Sequence, residues 1–122
     1  MGYDTSAYAF YGVHIPREQW GDPHAGGEPD RVQEVLSANS LAVPDVGYLM
    51  AGDYDRDMLF LTADVTPNED VEVRLGTFRR FEPASSHRLM KLTDQLNEAV
   101  KLLGYDILEL DAPAYIAVPD YS

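Results

Sequence analysis

The sequence predicts an α+β domain, with a mostly antiparallel sheet of four to six strands and two helices packed on one face of it. Several segments alternate apolar and other residues, which is typical of strands, and two segments repeat apolar residues every three or four positions, which is typical of helices. Packing both helical stripes on the same face of the sheet buries them together. The chain of 122 residues is long enough for one core, so we expect a single domain over 1–122.

The first strand and the first helix follow from the first third of the chain. In residues 7–15, "AYAFYGVHI", successive side chains point to opposite faces if the segment is a strand. Aromatic rings then lie on both faces, which favours an inner strand. Residues 17–30 are rich in glycine and proline and predict a loop. The segment 29–39, "PDRVQEVLSAN", predicts a short helix that starts near Pro29 and ends near Asn39.

The middle of the chain predicts three strands connected as hairpins. Residues 46–51 and 58–65 are apolar runs separated by the turn "GDYDRD", and "VEVRL" at 71–75 alternates as a third hairpin strand. The split β-α-β arrangement of ferredoxin-like domains fits this order if 71–75 is an added strand.

The last third predicts a long helix over 86–103. Leucines recur along one face, a serine at 85 or 86 supplies the cap, and Gly104 stands where a left-handed residue ends a helix. The tail offers one or two short strands, "YDILEL" and "AYIAV". The second of these lies between prolines, which predicts a short edge strand through which a homodimer could form.

Composition excludes several classes of function. The net charge is -12, which argues against direct binding to nucleic acid or to anionic lipid. There is no cysteine, no apolar run long enough to span a membrane and no visible secretory signal, so we expect a cytoplasmic protein. We find no phosphate-binding, dinucleotide-binding or zinc motif, and we expect no cofactor and no catalytic residues.

The charge is uneven along the chain. Residues 44–73 carry eight acids and one base, whereas residues 74–91 carry five bases and one acid. The bases in 74–91 are Arg74, Arg79, Arg80, Arg88 and Lys91. This basic segment could bind an anion or an acidic partner, and the alternative is that it neutralises the protein's own acids.

The stretch "AGDYDRDM" places Asp53, Asp55 and Asp57 at every second position, as in the start of a calcium-binding loop. The match then fails, because Met58 replaces the glycine of the sixth position and Asp64 replaces the glutamate of the twelfth. A hairpin turn with solvated carboxylates is the better interpretation, although a divalent cation could still bind there.

A second group of polar residues lies in the loop 17–30. Asp22, His24 and Glu28 could form a metal or acid/base cluster, since imidazole and carboxylate are common ligands. This group supports the alternative function, a small metal-dependent enzyme or hydrolase. The other interpretation is that three polar residues are expected in such a loop by composition alone.

Aromatic residues suggest a recognition surface. Tyrosine and tryptophan combine an apolar face with a polar tip and are enriched in interfaces, although they also suit half-buried strands. Tyr54 lies at the predicted turn tip among acids, where packing needs it least. The predicted binding residues are Tyr54, Asp53, Asp55, Asp57 and Trp20.

Three stretches, "MGYDTSAYAFYGVHIP", "AGDYDRDMLFL" and "APAYIAVPDYS", resemble small uncharacterised proteins encoded by phages of high-GC actinobacteria. The resemblance implies a phage origin and carries over no functional residue. From the net charge and the eight acids in 44–73 we expect a non-enzymatic acidic module that binds a basic protein. The resemblance adds the expectation that this partner is a host protein, which the module inhibits.

Overall fold

The structure is a computed structural model that describes residues 5–20, 27–53, 56–63, 72–74, 78 and 85–121. Its elements confirm the predicted α+β class. In chain order they are β1 (Thr5–Ile15), α1 (Glu28–Ala38), β2 (Val46–Asp53), β3 (Arg56–Ala63), β4 (Glu72–Arg74), α2 (Ser86–Leu103) and β5 (Ala114–Tyr121), with 3-10 turns at Arg17–Gln19 and Ile107–Glu109.

The sheet is antiparallel throughout, with the strand order β2-β3-β1-β5. Because β3 is antiparallel to both of its neighbours, β1 and β2 run parallel on either side of it and are connected through α1. By the same argument β3 and β5 run parallel on either side of β1 and are connected through α2. This is the split β-α-β arrangement of ferredoxin-like domains.

The short strand β4 pairs with β1 and not with β3. Its partners are Ser6, Ala7 and Tyr8, which pair with β5 on their other side. β4 therefore lies on the same side of β1 as β3 and pairs with an earlier part of that strand. The prediction of a third hairpin strand over 71–75 is wrong in its partner, because alternation indicates which face of a strand is buried but not which strand it pairs with.

The hairpin between β2 and β3 is tighter than predicted. Asp53 pairs with Arg56 and Gly52 pairs with Asp57, so only positions 54 and 55 separate the two strands. The predicted bounds 46–51 and 58–65 were wrong at the turn, because the strand ladder is made by backbone groups and continues through polar residues. Two-residue connections also match the natural twist of paired strands.

Both helices pack on one face of the sheet and form the main core. Helix α2 has the predicted bounds 86–103: the Ser85 hydroxyl accepts from the Arg88 amide at 3.1 Å, and Gly104 ends the helix at φ 83°. The largest fully buried core side chains are Ile15, Val32, Val43, Leu59, Leu61, Leu92, Leu96 and Val100. Each buried leucine or isoleucine contributes about 1.5–3 kcal/mol. Neither described helix is long and apolar enough to cross a bilayer.

The opposite face of the sheet holds a second, smaller core that the sequence did not predict. It consists of Phe10, Ala51, Phe60 and Val118, and the two phenylalanine rings meet edge to face at 5.3 Å. The outer strands β2 and β5 contact each other. In a flat sheet three strand spacings would separate them by about 14 Å. The sheet is therefore curled around this second core.

Gly12 explains how β1 tolerates the curl. A Cβ atom at this position would lie 2.1 Å from the backbone oxygen of Leu61, a distance that no side chain can adopt. Glycine inside a strand commonly marks a tight bend or a close backbone approach. The close contact between β1 and β3 thus requires glycine here.

The tail differs from the prediction in two ways. The segment "YDILEL" is a 3-10 turn and not a strand, because the Asp106 carboxylate accepts from the Leu108 amide at 3.1 Å and favours a turn. The strand predicted over "AYIAV" extends through Pro119, which pairs with Ala7. Among the described strands β5 pairs with β1 alone, and an edge strand tolerates a proline whose missing amide faces away from its partner.

Candidate functional site

The structure does not test most of the predicted binding site at the hairpin. Tyr54 and Asp55 lie outside the described residues. Asp53 and Asp57 belong to the paired ends of β2 and β3, and only their backbone is described. This acidic hairpin therefore stays a prediction.

Trp20 is half-buried and has a packing role. Its indole nitrogen donates to the Ile15 carbonyl at 3.1 Å, and its ring packs against the main core. The Arg17 guanidinium lies 4.9 Å from the centre of the ring. Tyr48 also packs against the main core. For Trp20 and Tyr48, these contacts favour the interpretation that the aromatic ring serves packing.

Glu28 is buried in a cluster of charged and polar groups. Arg31 donates to its two carboxylate oxygens, from Nε at 2.7 Å and from Nη2 at 2.8 Å. The Tyr105 hydroxyl also donates to Glu28, at 2.6 Å. Asp22 and His24, the other members of the predicted acid/base group, lie outside the described residues. Glu28 is therefore held by partners that the sequence did not suggest.

The same cluster connects the start of α1 to the end of α2. Arg31 Nη1 donates to the carbonyl oxygen of Leu103 at 2.9 Å. The hydrogen bond to Glu28 raises the pKa of Arg31, while burial and the hydrogen bond to Glu28 raise the pKa of Tyr105. The Tyr105 phenol therefore stays neutral to a higher pH than an exposed tyrosine does. We call Glu28, Arg31 and Tyr105 the ionic clamp, and its contacts describe a structural role.

Metal binding finds no support in the part of the chain that the structure describes. No group of three or more histidine, aspartate or glutamate side chains comes together there. In the basic segment 74–91, Arg88 pairs with Asp45 at 3.4 Å, and Gln95 also donates to Asp45, at 2.9 Å. For Arg88 this contact favours the interpretation that the basic residues neutralise the protein's own acids, whereas Arg79 and Arg80 lie outside the described residues.

A cleft with a volume of about 330 Å³ opens between β1, α2 and the segment 107–113. Its lining combines apolar side chains with three polar ones. The lining residues are Val13, Thr93, Asn97, Val100, Ile107, Leu110, Asp111, Ala112 and Pro113. Ligand sites are typically concave and mostly apolar, with a few polar groups that fix orientation.

The polar side chains of the cleft differ in whether they are hydrogen-bonded to other residues. Thr93 shares a hydrogen bond of 2.8 Å with the hydroxyl of Tyr11, which also donates to the Pro113 carbonyl at 3.5 Å. In contrast, the side chains of Asn97 and Asp111 make no hydrogen bond or ion pair to any other residue in the described ranges. Asp111 is the one charged residue among the described residues that line the cleft. The cleft therefore offers an amide and a carboxylate to an incoming group.

The segment between α2 and β5, together with the start of β5, carries exposed apolar side chains. Of the six large hydrophobic residues that are exposed among the described residues, three lie in 107–115: Ile107, Leu108 at 89% exposure, and Tyr115. The ring of Tyr115 meets that of Tyr11 edge to face at 5.1 Å, and the Tyr11 hydroxyl is bonded to Thr93 in the lining of the cleft. Apolar side chains clustered at the surface commonly mark sites of interaction.

The exposed turn beside the cleft is fixed in place. We call Asp106, Ile107, Leu108 and Glu109 the acidic ridge, in which both acids are exposed. The Asp106 amide donates to the Gln19 side chain at 3.0 Å, and the Glu109 amide donates to the Asp106 carbonyl at 3.0 Å. A turn held in this way presents its side chains without further ordering.

Neither the cleft nor the ridge follows from the predicted elements. The sequence predicts "YDILEL" as a short strand, which would bury one of its faces. Two local signals point to a turn instead: Gly104 ends α2 just before it, and Asp106 stands two residues before Leu108, where its carboxylate can cap the turn. No local signal brings Val13, Thr93 and Asp111 together.

Three comparisons with known proteins identify no relative of the chain. The chain matches no protein-family model, and neither the curated proteins nor the solved structures include a significant match.

Proposed function

We propose that the protein is a non-enzymatic binding module that holds a basic protein partner on the acidic ridge. The observation that carries the proposal is the position of Leu108, which is 89% exposed between two exposed acids on a fixed turn. Burying such a leucine in an interface contributes about 2 kcal/mol. The flanking acids select a partner that offers lysine or arginine.

Charge acts on the rate of association as well as on the choice of partner. A net charge of -12 attracts a basic protein over distances longer than a direct contact. Salt screens this attraction, with a screening length of about 10 Å at 0.1 M. Binding that depends on it weakens as salt rises. The resemblance to proteins of actinobacterial phages supports the further proposal that the partner is a host protein, which the module inhibits by covering its basic surface.

The experiment is affinity capture from an actinobacterial lysate at low salt with three forms of the protein. Leu108→Lys places a positive charge on the ridge, and Leu41→Lys makes the same change at a leucine that is 99% exposed in the turn after α1. We expect the wild type and Leu41→Lys to retain the same basic protein. Leu108→Lys should lose it, and raising salt to about 0.3 M should weaken capture by the other two.

Three results would contradict the ridge as the binding surface. The first is equal capture by Leu108→Lys and Leu41→Lys, and the second is that the wild type recovers no basic protein. The third is loss of the partner in Tyr54→Ala with full retention in Leu108→Lys, which would move the binding surface to the acidic hairpin.

A further inference from the structure

We infer that the cleft between β1, α2 and 107–113 is a binding site for a small organic cation, a molecule with a compact apolar body and one ammonium group. This inference is independent of the protein partner proposed above. It concerns the interior of the cleft, whereas the partner is proposed to cover the neighbouring ridge, which shares only Ile107 with the cleft among the described residues.

The size and the lining of the cleft fit the apolar body. Its volume of about 330 Å³ lies at the lower end of the range typical of ligand sites, about 300–1,000 Å³. Val13 and Val100 contribute buried apolar surface, and Leu110 and Pro113 line the side formed by the 107–113 segment. Such a cleft accommodates a single aromatic ring with a short chain.

The polar groups determine the charge of the ligand. The carboxylate of Asp111 and the amide of Asn97 line the same cleft, and neither is engaged by another described residue. No described lysine, arginine or histidine lines the cleft to neutralise Asp111. An ammonium group donates hydrogen bonds to a carboxylate and to an amide oxygen, so it complements both residues, whereas an anionic ligand would be repelled.

The walls of the cleft are already connected to each other. Tyr11 on β1 reaches Thr93 on α2 at 2.8 Å and the Pro113 carbonyl at 3.5 Å, so its side chain links the three walls. The ring of Tyr115 packs on Tyr11 and supports it. A site that is formed before binding spends less free energy on ordering its own residues.

Three phenyl compounds of similar size test the inference. We propose to titrate the ¹⁵N-labelled full chain with 2-phenylethylamine, 2-phenylethanol and 3-phenylpropionate and to follow the backbone amide signals. The amine should shift the signals of Thr93, Asn97 and Asp111, with a dissociation constant on the order of 1 mM for a ligand of this size. It should bind about three-fold more tightly than the alcohol, as expected for one partly exposed ion pair. The carboxylate compound should bind most weakly.

Matched variants separate the cleft from general electrostatic attraction. Asp111→Asn should bring the amine and the alcohol to equal affinity, while Glu109→Gln removes the same charge two residues away, at a side chain that does not line the cleft, and should leave the preference intact. Ala112→Phe fills the cleft from its exposed edge and should abolish the shifts with all three compounds. Ala42→Phe makes the same change at an exposed alanine outside the cleft and should have no effect.

The inference is overturned if the amine shifts no cleft signals or if the carboxylate compound binds as tightly as the amine. It is also overturned if Asp111→Asn keeps the preference for the amine, or if Glu109→Gln loses it to the same extent. Should Ala112→Phe fail to give a folded spectrum, the pair Asp111→Asn and Glu109→Gln decides the question alone, because both residues are exposed.

Discussion

Helix α2 carries two polar regions that differ in how their groups are used. At its last turn, the carbonyl oxygen of Leu103 accepts from Arg31, and the ionic clamp is closed on every side that the structure describes. In its middle, Asn97 lines the cleft together with Asp111, and neither side chain is bonded to another described residue. In the clamp, Glu28 and Tyr105 are buried and the polar groups are paired. In the cleft, the side chains of Asn97 and Asp111 have no such partner among the described residues.

This difference distinguishes polar groups that maintain the fold from polar groups that can bind a ligand. Burying a charge costs free energy unless the charge is paired and fully hydrogen-bonded. Removing one partner from such a cluster therefore destabilises the folded state. A polar group left open at the edge of a cleft costs little, because water hydrates it until a ligand replaces that water. We therefore expect changes in the clamp to affect stability and changes in the cleft to affect binding.

The largest effect is expected from Arg31→Met, which leaves the buried Glu28 without its cation. Breaking a fully buried pair costs about 3–5 kcal/mol. The Arg31 side chain is 38% exposed, so we expect a smaller loss in the free energy of unfolding, about 2–3 kcal/mol. Urea denaturation measures it. Arg17→Met, which removes a guanidinium held over Trp20, should cost less than about 1 kcal/mol, and an equal loss in both variants would contradict the role of the clamp.

Removing single hydroxyl groups gives a smaller and more selective effect. Tyr105→Phe deletes a donor to a buried carboxylate and should lower the free energy of unfolding by about 1.5–2 kcal/mol. Tyr11→Phe deletes the bond to Thr93 at the edge of the cleft, where water can replace it, and should cost about 0.5–1 kcal/mol. Denaturation of both variants under the same conditions tests the order, and the reverse order would contradict the contrast between the two regions.

Alkaline pH should weaken the clamp through Tyr105. Burial raises the pKa of this phenol above its ordinary value of about 10, so above that pH the unfolded chain releases its proton while the folded chain retains it. The unfolded state then binds fewer protons, and stability falls as pH rises. The wild type should lose about 1 kcal/mol more than Tyr105→Phe between pH 9 and pH 11. The prediction is contradicted if the free energy of unfolding falls equally in the two proteins over this pH range.

The smallest effect on stability is expected in the cleft. Asp111→Asn and Asn97→Leu remove groups that no other described residue engages, so the free energy of unfolding should change by less than about 0.5 kcal/mol. Thermal and urea denaturation of both variants measure the change. A loss above about 1.5 kcal/mol in either variant would show that the group stabilises the fold and is not free to bind.

Much of the fold could be predicted from the sequence because its signals are local. Ser85 and Gly104 define both ends of α2, and the alternation of Leu59 and Leu61 identifies the face of β3 that meets the helices. The second core escaped prediction because Phe60 on the other face becomes buried only when the sheet curls. That curl depends on tertiary contacts and on Gly12.

The candidate site could not be predicted because its parts are distant in the chain. Glu28 and Tyr105 are 77 residues apart, and Tyr11 and Thr93 are 82 residues apart. The sequence showed a carboxylate near His24 but not the arginine and the tyrosine that bind it. Likewise it showed "YDILEL" as an apolar segment, but not that Leu108 would remain exposed.

The central claim is tested most directly by measuring stability and ligand binding on the same two variants, Arg31→Met and Asp111→Asn. The measurement is urea denaturation together with NMR titration by 2-phenylethylamine in buffer where both proteins are folded. We predict that Arg31→Met loses stability and keeps wild-type binding, while Asp111→Asn keeps stability and loses the preference for the amine over 2-phenylethanol. The claim is contradicted if folded Arg31→Met no longer binds the amine, or if Asp111→Asn is destabilised and binds as the wild type does.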